Sequence, residues 1–277
     1  MREVRIKDMV IGPDRPLALI AGPCVIESEG MVLQTVEGIM EIAQKLDIPF
    51  IFKSSYSKAN RLSVNSFTGP GLEDGLRILA RVKEEWGVPV LTDVHSSTQV
   101  KAVAQVVDLL QIPAFLCRQT ELLLEAARSG LPLNIKKGQF MAPQDMGYIA
   151  DKAESVGNGQ ILLTERGTTF GYRNLVVDMR SLAIMGQLGY PVVFDATHSV
   201  QLPGGGEGRS GGQREFVPLL LRAAVAAGCQ AIYLEVHPQP EEALSDSASQ
   251  WPLGDLERLL LEVKDFEEVR RSWDEIL

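Results

Sequence analysis

An apolar run of about five residues followed by a stretch with helical spacing recurs about eight times along this chain, and that alternation narrows its fold more than any other feature. Leu17 to Ala21 reads as a buried strand, and Ser28 to Lys45 then carries Val32, Val36, Ile39, Met40 and Ala43 on one helical face. The unit repeats with strands at Pro49 to Lys53, Val88 to Asp93, Asp108 to Ile112, Pro132 to Lys136, Gln160 to Thr164, Pro191 to Asp195 and Ala231 to Glu235. Helical spacing fills the intervals, as in Gly71 to Trp86, Thr98 to Val106, Glu121 to Ser129, Pro143 to Ser155, Met179 to Leu188 and Phe216 to Ala227. Ahead of them, Glu3 to Lys7 alternates charged and apolar residues up to the punctuation Gly12-Pro13-Asp14, which predicts a short N-terminal β-hairpin. No linker, low-complexity stretch or break in charge interrupts the series, and a closed parallel barrel commonly takes about 250 residues. The expectation is an α/β fold, a single (β/α)8 TIM barrel occupying residues 1–277 as one catalytic domain.

The formal charge of -9 argues against nucleic acid or an anionic membrane as the main partner, because both require a basic surface field. No run approaches the roughly 20 apolar residues of a membrane span, and Met1 to Asp8 does not make a signal peptide. Three cysteines, Cys24, Cys117 and Cys229, form no CxxC pair and leave an odd number. These features predict a cytoplasmic protein in a reducing compartment.

In a barrel, functional side chains emerge just past the C-terminal ends of the strands. Those positions hold Cys24; Lys53, Lys58, Asn60 and Arg61; Asp93 and His95; Gln111 and Arg118; Lys136 and Lys137; Glu165 and Arg166; Asp195 and His198; Glu235 and His237. Lys53 to Arg61 packs three cations into one loop after a buried strand, which core packing does not explain. With Arg118, Lys136 and Arg166 they form a cationic set suited to a ligand with several anionic groups, such as two phosphorylated small molecules. No Walker motif or GxGxxG supports a nucleotide. Gly204, Gly205, Gly206, Gly208, Gly211 and Gly212 follow the seventh strand and read as a mobile lid, or else as a passive surface loop. Cys24, His198, Glu235 and Asp246 offer a thiolate, an imidazole and two carboxylates, a mixed set for a divalent metal, with His237 as an alternative ligand. Their spacing is not local, and a lone cysteine is more often a small buried hydrophobe.

From about Ala18 to Trp251 the chain resembles the 3-deoxy-D-manno-octulosonate-8-phosphate synthases. The likeness rests on Ala21-Gly22-Pro23-Cys24, Lys53 to Arg61, Gln111 to Thr120, Lys136-Lys137-Gly138-Gln139-Phe140, Thr164 to Tyr172 and Asp195 to Gln201. The resemblance implies condensation of phosphoenolpyruvate with D-arabinose 5-phosphate and water, releasing inorganic phosphate, for lipopolysaccharide synthesis. It places Lys53 and Lys58 at the phosphoenolpyruvate carboxylate, and Lys136, Arg166, Gln111 and the Ala114 backbone at its phosphate. It places Asn60 and Arg61 on the arabinose phosphate, with Arg118 reaching in from a neighbouring subunit of a homotetramer. Lys53, Lys58, Lys136, Arg166 and His198 are its catalytic set; Ser63, Asp93, Phe115, Asp195 and Gln201 complete the substrate contacts. Members that need a metal carry cysteine at the position of Cys24 where the others carry asparagine. That implies a divalent ion (Zn, Fe, Mn or Cd) on Cys24, His198, Glu235 and Asp246. The chain departs at Leu62, where members have a small hydroxyl residue; Ser63 is adjacent.

Two other readings remain. Heptulosonate synthases, which use erythrose 4-phosphate, resemble this chain but carry Lys-Pro-Arg-Thr in place of Lys58-Ala59-Asn60-Arg61. A phosphosugar-binding protein without catalysis would have no need of Lys136, Arg166 and His198 together.

Overall fold

The computed structural model describes residues 1–61, 63–206 and 209–274. The departure at Leu62, and Glu207 with Gly208 at the tip of the Gly-rich stretch, lie outside the described residues. Fifteen strands appear in chain order among the described residues. They are β1 (Val4–Ile6), β2 (Met9–Ile11), β3 (Ala18–Gly22), β4 (Phe50–Lys53), β5 (Val90–Asp93), β6 (Leu109–Ile112), β7 (Leu133–Lys136) and β8 (Ile161–Glu165), then β9 (Thr168–Thr169), β10 (Leu175–Val176), β11 (Val192–Asp195), β12 (Gln201–Gly206), β13 (Arg209–Gly212), β14 (Ala231–His237) and β15 (Trp251–Pro252). The helices are α1 (Glu29–Lys45), α2 (Leu72–Trp86), α3 (Ser97–Ala104), α4 (Thr120–Arg128), α5 (Met146–Glu154), α6 (Arg180–Gln187), α7 (Ala196–Ser199), α8 (Val217–Ala226) and α9 (Leu256–Asp274).

Strands β3, β4, β5, β6, β7, β8, β11 and β14 pair in that order, and β11 pairs with β14 to close an eight-stranded parallel barrel. This is the (β/α)8 architecture the alternation predicts. The strand bodies are buried, as expected where helices cover the outer face and side chains fill the inside. Local signals set the helix ends: Ser28 caps α1 by accepting from the Met31 amide, and Gly87 closes α2 in the left-handed region.

Two apolar clusters divide the core. The larger lies between barrel and helices; the smaller fills the barrel interior with Ile20, Ile51, Leu91, Leu109, Leu162, Val193 and Tyr233. Val4, Ile6 and Ile11 join this interior cluster, so the hairpin β1–β2 plugs one end of the barrel. The Arg5 amide fixes the plug by donating to Gln160 Oε1 at 2.9 Å. Above this floor comes a polar layer in which Asn134 Nδ2 donates to Gln111 Oε1 at 3.0 Å and Thr164 Oγ1 donates to Asn134 Oδ1 at 2.5 Å.

The Gly-rich stretch, expected as a lid, pairs antiparallel as β12–β13 with an irregular register between Leu202 and Gly206. Helix α9 is an addition to the expected elements; it packs against α8 on the outside.

Candidate active site

The mouth opposite the plug is built by the pleat. Inward-facing positions recur every second residue, so the residues above the floor on β4, β5, β6, β7, β11 and β14 are Lys53, Asp93, Gln111, Lys136, Asp195 and Glu235. All six are buried. Gly22 ends β3 beneath them with φ 151°, and a Cβ there would strike the carbonyl oxygen of Lys53, so glycine lets the first two strands close together.

Glu235 is the hub of the charges. Its Oε1 lies 3.4 Å from Lys53 Nζ, 3.8 Å from Lys58 Nζ and 3.5 Å from His198 Nε2. Burial pushes this carboxyl up, but His198, Lys53, Lys58 and Lys136 outweigh burial and bring it down to about 2. Lys53 also donates to the Cys24 carbonyl and to Ser55 Oγ, both at 3.0 Å. Asp93 accepts from Ser55 Oγ and lies 2.9 Å from His95 Nε2. Burial raises the Asp93 carboxyl, yet His95 and the two lysines hold it well below its usual range.

A second group surrounds Asp195. Its Oδ2 meets Lys136 Nζ at 2.5 Å and His198 Nδ1 at 2.7 Å, while Oδ1 accepts the His198 amide at 2.9 Å. Burial would raise Asp195, but His198 and Lys136 drive it far below the carboxylate range. Lys136 rests 3.7 Å from the centroid of the Tyr233 ring. Burial lowers the Lys136 ammonium despite Asp195. Arg166 is lowered by burial as well; its NH2 donates to Gln201 Oε1 at 3.1 Å, and its buried NH1 has no partner among the described residues. Buried ion pairs of this kind are weak stabilisers, because desolvation consumes most of the Coulombic gain. Their effect is to hold charge ready in a largely buried cleft.

The third group is the candidate metal set. Cys24 Sγ and the carboxylates of Glu235 and Asp246 present ligand atoms within 4.8 Å of one another. His198 Nε2 flanks them, 3.5 Å from Glu235 Oε1 and 4.0 Å from Asp246 Oδ2. Glu235 Oε2 is buried with no hydrogen-bond partner among the described residues, an acceptor whose lone pairs no donor takes. Burial, then Asp246 and Glu235, push the Cys24 thiol well above its ordinary value. A thiol and two carboxylates gathered this closely, with an imidazole beside them and one carboxylate oxygen left without a donor, fit a divalent ion. His237, the alternative ligand, instead places Nε2 3.7 Å from Glu27 Oε2 and accepts the Gln239 amide at Nδ1.

The remaining expected residues are dispersed around the rim. Arg61 is bound to Ser245 and the Phe67 carbonyl. Ser63 accepts from the Asn65 amide at 3.3 Å in a local turn. Ala114 is buried at the start of a short 3-10 turn, while Asn60, Phe115 and Arg118 are exposed. Lys137 and Glu165, also at strand ends, pair with each other at 3.4 Å and bond Thr168 and Ser181. They brace the loop outside the barrel: Glu165 Oε1 accepts the amides of Arg166 and Gly167.

Sequence reasoning passed over Asn134 and Tyr233, each two residues before a charged mouth residue on its strand, and that spacing is a usable signal. It also missed Gln250, which accepts the Cys24 amide at 3.1 Å and donates to the Ser245 carbonyl at 2.8 Å, tying the Asp246 loop to Cys24. No local spacing marks that contact.

The family profile described as DAHP synthetase I family matches residues 2–271. The chain belongs to the DAHP synthetase I family. Within this family, the 2-dehydro-3-deoxyphosphooctonate aldolase of Acidithiobacillus ferrooxidans is 57% identical over 271 residues, covering 98% of this chain and 96% of that protein. The protein of the same name from Geobacter metallireducens is 60% identical over 263 residues, covering 95% and 97%. That from Nitrosococcus oceani is 60% identical over 250 residues, covering 90% and 89%.

Proposed function

We propose that the chain is a 3-deoxy-8-phosphooctulonate synthase, joining phosphoenolpyruvate to D-arabinose 5-phosphate with the entry of water and the release of inorganic phosphate, for lipopolysaccharide synthesis. The observation that carries this reading is the mouth itself, where the buried Lys53, Lys136 and Arg166 and the half-buried Lys58 converge above an apolar floor in an acidic protein. Relatives at 57% and 60% identity named for the aldol direction of the same chemistry support it.

In the reaction, C3 of phosphoenolpyruvate bonds to the aldehyde carbon, the oxygen of water bonds to C2, and the C2–O bond to phosphate breaks. Water gives up both protons: one goes to the aldehyde oxygen, and the other leaves with the phosphate as the C2 hydroxyl becomes a carbonyl. Lys136 and Arg166 hold the phosphate and take up the charge that develops as it leaves; their placement before reaction avoids solvent reorganisation. Gln111 and the Ala114 backbone complete that subsite. Lys53 and Lys58 take the carboxylate, and Asp93 lies beside them. Asn60, Arg61 and Ser63 take the sugar phosphate, with Phe115 and Gln201 lining the rest. Asp195 accepts from His198 Nδ1, which fixes the imidazole with Nε2 toward Glu235 and Asp246. Cys24, His198, Glu235 and Asp246 would hold a divalent ion, whose positive charge would orient and polarise the aldose. Zinc, iron, manganese and cadmium all suit that donor set.

The exposed Arg118 and Phe115 fit a homotetramer in which Arg118 completes the site of a neighbour. Mixing Arg118→Ala with a second active-site null should recover activity through hybrid assembly; proven subunit exchange without recovery contradicts a shared arginine. The protein is read as cytoplasmic, residues 1–277 working as one catalytic domain on small phosphorylated substrates.

Phosphate release from phosphoenolpyruvate with either D-arabinose 5-phosphate or D-erythrose 4-phosphate tests the assignment. Arabinose 5-phosphate is expected to be the better aldose. A preference for erythrose 4-phosphate would make the chain a heptulosonate synthase, and no release with either would leave a binding protein.

A further inference from the structure

The loop between β14 and β15 touches the metal set and the sugar-phosphate arginine at once. Ser245 is buried, with Oγ 2.8 Å from Cys24 Sγ, and it also hydrogen-bonds Arg61 NH2. Asp246 divides its carboxylate. Oδ2 lies 3.3 Å from Cys24 Sγ and 4.0 Å from His198 Nε2, whereas Oδ1 lies 4.0 Å from Arg61 NH1. The residue adopts φ 48°, a left-handed conformation unusual outside glycine, and its carbonyl accepts the amides of Ser249 and Gln250 at 3.0 and 3.1 Å. The surrounding contacts hold that loop conformation despite its backbone cost. Arg61 is also tethered from its own side, Nε donating to the Phe67 carbonyl at 3.2 Å.

One guanidinium therefore lies against a carboxylate that a divalent ion would also claim. Its positive charge opposes entry of that ion, and the site already contains Lys53 and Lys58. A phosphate dianion is a better partner for a planar guanidinium than one shared carboxylate at 4.0 Å.

We infer that Arg61 exchanges partners, moving from Ser245 and Asp246 to the phosphate of the sugar, and that this exchange couples sugar-phosphate binding to divalent-ion binding. With Arg61 drawn off and neutralised, both oxygens of Asp246 are free for the ion, and the Ser245 hydroxyl is free to donate to the Cys24 thiolate. The coupling is reciprocal by linkage, so a bound ion strengthens sugar-phosphate binding by the same factor. The inference rests on the proposed role of Arg61 as a sugar-phosphate ligand.

Calorimetric titration of Mn²⁺ into metal-stripped protein, with and without saturating D-arabinose 5-phosphate, tests it. In the wild type the Kd for Mn²⁺ is expected to tighten about fivefold or more with the sugar phosphate present. In Arg61→Met the Kd without sugar phosphate is expected to be tighter than in the wild type, and saturating sugar phosphate should tighten it by a clearly smaller factor than in the wild type, because only the direct interaction of ion and aldose is left. Arg61→Gln, a second neutral variant, covers a failure of the methionine variant to fold. An unchanged wild-type Kd at a sugar-phosphate concentration shown by direct titration to saturate overturns the inference while sparing the role of Arg61. Tightening by the full wild-type factor in both variants also overturns it, assigning all of the coupling to direct interaction between sugar and ion. Equal affinity of wild type and both variants for arabinose 5-phosphate instead removes Arg61 from the sugar-phosphate site, and the inference falls with it.

Discussion

The two ends of the barrel use the same strands and bury opposite chemistry. Toward the plug the inward positions are Ile51, Leu91, Leu109, Val193 and Tyr233; two residues further along the same strands they become Lys53, Asp93, Gln111, Asp195 and Glu235. A single step of the pleat separates a dry floor from a charged mouth. The contrast teaches why so many charges can be buried together: the floor excludes water beneath them, and the strands hold each partner in a fixed register, so the charges answer one another instead of solvent. Chemistry should therefore belong to one end and stability to the other.

The strongest test of that division is removal of the metal. Chelator treatment is expected to abolish turnover while leaving the far-ultraviolet circular dichroism intact, and added manganese, iron, zinc or cadmium should restore turnover to different degrees. Cys24→Asn sharpens the test. Weakened metal binding with some activity surviving in chelator would mark orientation as the ion's main contribution; full activity in verified metal-free wild type would return Cys24 to a small buried side chain.

Next in size is Lys136→Met, expected to lower kcat by about 10²-fold or more, as loss of a charge-stabilising donor can. Near-native turnover would remove Lys136 from the mechanism. At the other end, Ile11→Ala should cost about 2–5 kcal/mol of unfolding free energy, the range for a truncated core side chain. Its KM values should stay near those of the wild type. A KM shift larger than the loss of stability explains would show that the plug and the mouth are not separate.

The smallest effect is in pH. The Cys24 thiol is held well above its ordinary value by burial and by Asp246 and Glu235, so it is protonated in the metal-free protein at neutral pH. Metal binding must displace that proton, and affinity should weaken by about tenfold for each unit that the pH falls, through the linkage of one proton. Titration of Mn²⁺ in buffers of different ionisation enthalpy checks it; binding without proton release would exclude a protonated Cys24.

The two ends also differed in how far the chain announced them. The floor and the strand order were legible because β-branched and leucine-rich runs alternate with helical spacing, and because the hairpin alternates charged and apolar residues. Cys24, Lys53, Lys136, Asp195 and Glu235 were legible because each stands at or just past a strand end, where the barrel geometry gathers them. Contacts made between loops were not. Gln250 reaches Cys24 across 226 positions and Ser245 reaches Arg61 across 184, and nothing in local spacing records such pairings. Lys137 and Glu165 mislead in the opposite sense, since they are charged and sit at strand ends but face outward, one pleat position from Lys136 and Arg166.

The proposed task of the buried cations of the mouth is to stabilise phosphate as it leaves carbon. Turnover in ¹⁸O-enriched water, with mass analysis of both products, tests this most directly. The expected result is label at C2 of the sugar acid and none in the inorganic phosphate; label in the phosphate would place the broken bond at phosphorus and contradict the role given to Lys136 and Arg166.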